Sequence, residues 1–225
     1  MDFQTNARQQ YYRAMQNRHP DVLFYGEPSR REIALTFDDG PHLRDTPQVL
    51  DVLAKHNVQA TFFLVGRYAE QYPNLVKRIH QSGHQLALHC YRHIPFPMEN
   101  ASILKGQLTR SRNAIAHACG ISPETIRHIR PPYGFFTAKT LSMLNEWGYQ
   151  LVLWNNMPLH FIQPAQWTID QIYNNTVPGS VIVLHDGNGH GSKVAAILDT
   201  ILPVLKKQDF SFIKIEDMQR NRLHG

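Results

Sequence analysis

Short β-prone apolar runs alternate with helical periodicity along most of this 225-residue chain, and that alternation constrains the fold more than any other feature. The runs are residues 33–37, 60–65, 85–88, 149–153 and 181–184. Between them, Val49, Val52 and Leu53 share one helical face, and Leu104, Leu108 and Ile115 share another in a longer helix closed by Gly120. Thr137 is placed to cap a helix carrying Leu141 and Leu144 that stops at Gly148. Ser192 is placed to cap one carrying Val194, Ile197, Leu198 and Ile201, which Pro203 should kink or end. Strand followed by helix, repeated within one domain, predicts a parallel sheet, either open or closed into a barrel.

The residue that follows each strand is the informative one. Asp38 and Asp39 follow 33–37, His89 follows 85–88, Arg130 follows the short run 125–129, Trp154 follows 149–153, and His185 follows 181–184. Parallel β/α folds bring the C-terminal ends of their strands to one rim, where binding and catalytic groups collect. Five chemically capable or aromatic strand ends therefore predict one convergent site.

Four local motifs supply that site. Residues 36–41 read TFDDGP. Adjacent carboxylates repel and so favour a nearby cation, but Asp-Asp-Gly alone also serves as a helix cap or turn. Residues 89–93 read HCYRH, a spacing that can present two imidazoles to one ion, although a chain with thirteen histidines reaches that spacing by chance. Joined to Asp39, His89 and His93 make a two-imidazole, one-carboxylate set that leaves a position open for water, as in catalytic divalent sites. Residues 130–134 read RPPYG. Arg130 can pair with a carboxylate, and the stiff turn can aim the Tyr133 N–H at a developing oxyanion, or the motif is simply a rigid turn. Residues 184–187 read LHDG, where His185 is suited to acid catalysis or to a structural role.

Composition narrows the classes further. Apolar content of 42% and charged content of 18% belong to an ordinary globular protein. Two cysteines, Cys90 and Cys119, make no disulfide framework. The net charge of +5 is scattered rather than striped, so no nucleic-acid partner is expected, while attraction to an anionic polymer remains open. No stretch approaches the roughly 20 apolar residues of a membrane span. The first 30 residues lack the apolar block of a signal peptide, which predicts a cytoplasmic protein or a chain that has lost its targeting segment. Residues 1–30 are polar and read as an N-terminal strap, helical over 5–16, ahead of a catalytic domain over 31–225.

Together, TFDDGP, HCYRH, RPPYG and LHDG resemble, in order, the motifs of the polysaccharide deacetylase (NodB homology) family, carbohydrate esterase family 4, from about Arg31 to Lys214. The resemblance implies a distorted (β/α) barrel with fewer strands than the eight-fold form. It implies hydrolysis of N-linked acetyl groups on N-acetylated carbohydrates such as chitin or peptidoglycan. Asp38 would be the base, oriented by Arg130, and Asp39, His89 and His93 would bind one divalent metal. Zinc is usual, and imidazole with carboxylate also suits cobalt, nickel or iron. Tyr133 would contribute an oxyanion N–H and His185 the acid. Leu184, as a wall of the acetyl pocket, would join Trp154, Phe161 and Pro132 in contacting substrate.

Two departures stand out. Cys90 replaces the usual Ser or Thr after the first histidine, where an additional ligand is one reading. His160 and Phe161, in WNNMPLHF, fall where Asp-Trp is expected, so a neutral imidazole replaces the carboxylate partner of His185. That predicts a weaker acid, or another partner such as Asp186 or Asp170. The alternatives are a deformylase or deacylase acting on a lipid-linked sugar or small amide, and a non-catalytic metal-dependent carbohydrate-binding homologue.

Overall fold

A computed structural model describes residues 3–187 and 189–223. In chain order the elements are α1 (Phe3–Arg18), β1 (Val22–Leu23), β2 (Glu32–Asp38), α2 (Asp45–Lys55), β3 (Thr61–Val65), α3 (Gly66–Gln71), α4 (Pro73–Gln81), β4 (Gln85–Cys90), α5 (Ala101–Cys119), β5 (His128–Ile129), α6 (Ala138–Glu146), β6 (Gln150–Val152), α7 (Ala165–Asn175), β7 (Val181–His185), α8 (Gly191–Lys207), β8 (Ser211–Phe212) and α9 (Ile215–Leu223). Every strand pairing is parallel, in the order β1-β6-β5-β4-β3-β2-β7, with β8 beside the start of β2. A bridge between Asn156, just past β6, and Ile182 of β7 brings the sheet's two ends together. The result is a curled (β/α) barrel, as the family resemblance implies.

The alternation of side chains along each strand divides the interior in two. Ile33, Leu35 and Phe37 of β2 face outward, where they join Phe62, Leu64 and Leu88 and the buried helix faces of α2, α5 and α8 in the main core. Ala34, Phe63, Ala87, Val152 and Val181 face the barrel axis. Helix α9 closes the bottom by placing Ile215 and Met218 against those five. A polar chain seals the same end: Thr61 donates to Gln85, Gln85 meets His128, and His128 meets Gln219 of α9. With the bottom filled, the barrel opens at the rim formed by the C-terminal strand ends.

Most elements fall where periodicity puts them. Gly120 follows α5 at φ 66°, and Thr137 caps α6 by accepting from the Thr140 N–H. Four details differ. Strand β1 lies inside the expected N-terminal strap and forms an edge of the sheet. The 125–129 run divides into a tight turn over Pro123–Thr125 and the two-residue β5. Helix α8 starts at Gly191, with Ser192 in its first turn rather than at the cap. A Cβ at Gly191 would lie 2.3 Å from Asp45 Cα, so contact with α2 sets where α8 begins. Pro203 neither ends nor divides α8, which continues to Lys207. Its buried Ile201, Leu202 and Leu205 on either side hold the helix in the core, and their burial offsets the roughly 3 kcal/mol an internal proline costs. Among the described residues no helix is long and apolar enough to cross a membrane.

Candidate active site

Strand β2 delivers Asp38 to the barrel interior, where it is 3% exposed. An isolated buried carboxylate is costly, and Arg130 provides the counter-charge. The guanidinium is fully buried and its Nη1 donates to Asp38 Oδ1 at 2.6 Å and to Thr36 Oγ1 at 2.8 Å. Its Nη2 donates to the Leu153 carbonyl at 3.0 Å. The plane of the group rests on Phe63, 4.0 Å from the ring centroid, with Trp154 at 5.6 Å. Burial lowers the proton affinity of Arg130, and the Asp38 charge offsets only part of this. One side chain thus ties β2, β3, β5 and the end of β6 together and fixes the direction of the Asp38 carboxylate.

Asp39 follows at φ 73°, in the left-handed region, which turns its carboxylate away from Asp38. The next bond, Gly40–Pro41, is cis. A Cβ at Gly40 would lie 2.4 Å from an Asp186 carboxylate oxygen, so only glycine fits at this turn. Asp39 Oδ1 stands 3.4 Å from His89 Nε2 and 3.2 Å from His93 Nε2, and the two Nε2 atoms are 3.2 Å apart. Three ligands held about 2.0–2.1 Å from one tetrahedral ion are spaced about 3.3–3.4 Å, so the triangle has the dimensions of a zinc-type site. His89 Nδ1 donates to the Arg130 carbonyl at 2.8 Å, which fixes the tautomer that leaves Nε2 with a lone pair. Burial alone would raise the Asp39 carboxyl, but the adjoining imidazoles of His89 and His93 outweigh it and hold the group well below the usual carboxylate range. These residues fit a divalent ion, and among the described residues they are the one Asp/His/Cys/Glu cluster with that geometry.

His89 is the last inward residue of β4, inside the strand rather than after it. Cys90, the next residue, therefore faces the outer core. It lies apart from the Asp39–His89–His93 cluster, and burial pushes its thiol well up from the ordinary range.

His185 sits across the rim from this triangle, in register with Asp38. Burial pushes its proton affinity down, and the charges of Asp38 and Asp39 pull it back up. Its expected neighbour is in place: the His160 ring lies 5.0 Å from the His185 ring, centroid to centroid, and is fully buried. Burial, then the nearby His185, lowers His160 to about 3, so this imidazole stays neutral at working pH. Neither Asp170 nor Asp186 supplies the carboxylate in its place. Asp170 is exposed on α7 and accepts from Gln166. Asp186 is buried against Gly40 and accepts from Thr46 at 2.5 Å, and burial raises it to about 7.

The turn after β5 carries Tyr133 at φ 59° and Gly134 at φ 71°. A Cβ at Gly134 would meet the Trp154 ring at 2.7 Å, so glycine allows the turn to pack on that indole. Turn hydrogen bonds use the Gly134 and Phe135 N–H groups, and among the described residues none uses the N–H of Tyr133. The Tyr133 ring stands edge-on to His93 at 4.7 Å.

These groups share one cavity of about 520 Å³, lined by Asp38, Asp39, His89, His93, Tyr133, Trp154, Phe161 and His185. Leu184 and Pro132 are buried outside that lining. The reason for Leu184 is strand parity: residues two apart share a face, so Val183 accompanies His185 into the cavity while Leu184 joins the outer core. Arg67, Tyr68 and His190 also line the cavity and belong to no motif, and Met157 lines it from within WNNMPLHF. Of the motif-free residues, Val65 carries a sequence signal as the last residue of the 60–65 run, and Val183 carries one in its two-residue spacing from His185. The Asp38–Arg130 pair generates a direct prediction. Arg130→Met leaves a carboxylate buried without its counter-ion and should cost about 3–5 kcal/mol in urea denaturation. An unchanged midpoint would show that the pair does not stabilise the barrel.

The polysaccharide deacetylase family model matches residues 25–152, more than half of the chain. A peptidoglycan-N-acetylglucosamine deacetylase of Bacillus cereus is 36% identical over 197 residues, covering 87% of this chain and 70% of the relative. A chitooligosaccharide deacetylase of Azorhizobium caulinodans is 31% identical, covering 81% of this chain and 92% of that protein. Among solved structures, the Bc1960 peptidoglycan N-acetylglucosamine deacetylase superposes with a TM-score of 0.84 at 34% identity, over 88% of this chain and 92% of that one. Bacillus subtilis PdaA, a family 4 carbohydrate esterase, gives 0.80 at 28% identity, over 97% and 89%. The matched motifs, the parallel barrel and the sequence identity all lead to one assignment: the chain belongs to the polysaccharide deacetylase family.

Proposed function

We propose that this protein is a metal-dependent hydrolase that removes the acetyl group from N-acetylated sugars of a glycan. The observation that carries the reading is the Asp39–His89–His93 triangle, opening on the same cavity as the Arg130-bound carboxylate of Asp38 and the ring of His185. Relatives named as peptidoglycan and chitooligosaccharide deacetylases support the substrate class.

Asp39, His89 and His93 would hold the ion, which supplies Lewis acidity toward a water molecule and an amide carbonyl. The remaining steps belong to the chain. Asp38, held in direction by Arg130, takes a proton from the water as its oxygen adds to the acetyl carbon. The Tyr133 N–H is suited to donate to the oxygen that gains charge. His185 gives a proton to the leaving nitrogen as the C–N bond breaks, so amide and water become amine and acetate. Trp154 and Phe161 offer ring faces to the sugar, and Val183 rather than Leu184 provides the apolar contact beneath the methyl group.

Acetate release from chito-oligosaccharides and from peptidoglycan should stop on chelation and return with added zinc, cobalt or nickel. Activity untouched by exhaustive chelation would refute metal dependence, and formate in place of acetate would favour a deformylase. Asp38→Asn retains the hydrogen bond from Arg130 but not the basicity. It should lower kcat by at least about a hundredfold while leaving zinc affinity near that of the wild type. Near-full activity would remove Asp38 as the base.

The histidine beside His185 makes a separate prediction. An acid must hold its proton to act, and a carboxylate neighbour raises an imidazole's affinity where a neutral ring does not. In His160→Asp the pH above which kcat declines should therefore move up by about one unit or more. An unmoved alkaline limb would show that position 160 does not tune His185.

A further inference from the structure

The charges lining the cavity do not all find partners within it. Asp38 is matched by Arg130, and Asp39 by two imidazoles. Arg67, exposed on the rim at the start of α3, is the other formally charged side chain of the lining. Its Nη2 donates to the Tyr68 hydroxyl at 2.6 Å, and its guanidinium lies 4.5 Å from the centre of the Tyr68 ring. These contacts orient the group without neutralising it. Among the described residues no carboxylate pairs with Arg67. Glu70, one turn further along α3, is occupied: Arg110 donates to both its oxygens at 2.6 and 2.8 Å, and Tyr91 donates at 3.0 Å.

Topology sets where this cation stands relative to the sugar-binding wall. Trp154, Met157 and Phe161 follow β6, whereas Arg67 follows β3. Two strands, β5 and β4, separate them along one arc, and two, β2 and β7, along the other through the Asn156–Ile182 bridge. Trp154 and Phe161 thus stand on the wall opposite Arg67 and its neighbour Tyr68. A sugar stacked on the aromatic side turns the substituents of its far edge toward Arg67. A guanidinium presents paired donors that match a carboxylate, a geometry that a neutral hydroxyl cannot use fully.

Resting on the deacetylase reading above, we propose that Arg67 recognises a carboxylate on the substrate, so that the site selects acidic N-acetylated glycans over neutral ones. The net charge of +5 favours encounter with such a polymer. The carboxylate has two chemical sources in a peptidoglycan-like chain: the lactyl ether of a muramyl sugar, or the end of a peptide attached to it.

The test uses zinc-loaded wild type, Arg67→Gln and Arg67→Lys. Three oligosaccharides of alternating N-acetylglucosamine and N-acetylmuramic acid are compared: one with free lactyl carboxylates, its methyl ester, and one whose lactyl groups carry a dipeptide with a free carboxyl end. Relative kcat/KM for acetate release is measured at 50 and 500 mM NaCl. In wild type, a carboxylate form should exceed the ester at least tenfold at low salt, and less at high salt as the charges are screened. That ratio should fall below twofold in Arg67→Gln and be partly kept in Arg67→Lys. A preference for the free lactyl form assigns the carboxylate to the sugar, and a preference only for the dipeptide form assigns it to the peptide. A wild-type ratio near one in both arms, or a ratio unchanged by Arg67→Gln, overturns the proposal. If no substrate releases acetate, the hydrolase reading fails separately, and calorimetric binding of the acid and ester forms applies the same ratio to Arg67.

Discussion

The ion pair between Arg130 and Asp38 is the interaction on which the rest of the site depends. A guanidinium with no exposure and a carboxylate with almost none are tolerable only together, and only while the remaining donors are satisfied. Thr36 and the Leu153 carbonyl satisfy them, so the pair binds two distant strand ends to a third. The backbone of the same residue has a second use: the Arg130 carbonyl accepts from His89 Nδ1 and so selects the tautomer that frees Nε2. Orientation of the proposed base and preparation of the proposed metal ligands are therefore coupled through one residue.

The acid side is built differently. His185 has charged neighbours in Asp38 and Asp39 but a neutral ring, His160, where the family motif places a carboxylate. Lys193 supports the backbone there by donating to the His160 carbonyl at 2.5 Å. The position is thus packed and anchored, yet does not supply the negative charge that would hold a proton on His185. Asp186, next in sequence to His185, supports the Asp39–Gly40 turn instead. The asymmetry between a fully charge-compensated base side and an uncharged acid-side neighbour is a property of these particular residues, not of the fold.

The motifs located their strand ends well because strand periodicity and turn chemistry are local. TFDDGP, RPPYG and LHDG each join a strand to a residue type or turn that a few neighbours dictate, and Asp38, Arg130 and His185 meet where the parallel arrangement predicts. Parity is a finer matter. Reading 85–88 as the strand puts His89 beyond it, whereas β4 runs to Cys90 and His89 is its last inward residue. The same issue moves the apolar contact from Leu184 to Val183. Helix starts and stops show a similar limit. Ser192 and Pro203 carry strong local signals, but the approach of Gly191 to Asp45 and the burial of Leu202 and Leu205 override them.

The sequence by itself determined the class of fold, the order of its elements and the donor types for a metal, because alternation, capping and motif chemistry act over a few residues. Only the tertiary structure decided that Asp39 Oδ1 and two Nε2 atoms lie within 3.4 Å of one another, since that spacing depends on a positive φ and on β3 holding β2 and β4 in register on either side of it. It also decided which bystanders became neighbours. Arg67 and His190 belong to no motif, and they reach the cavity only because closure of the barrel sets β3 and β7 around one mouth. Closure is a long-range constraint, with no signature in any short stretch of sequence.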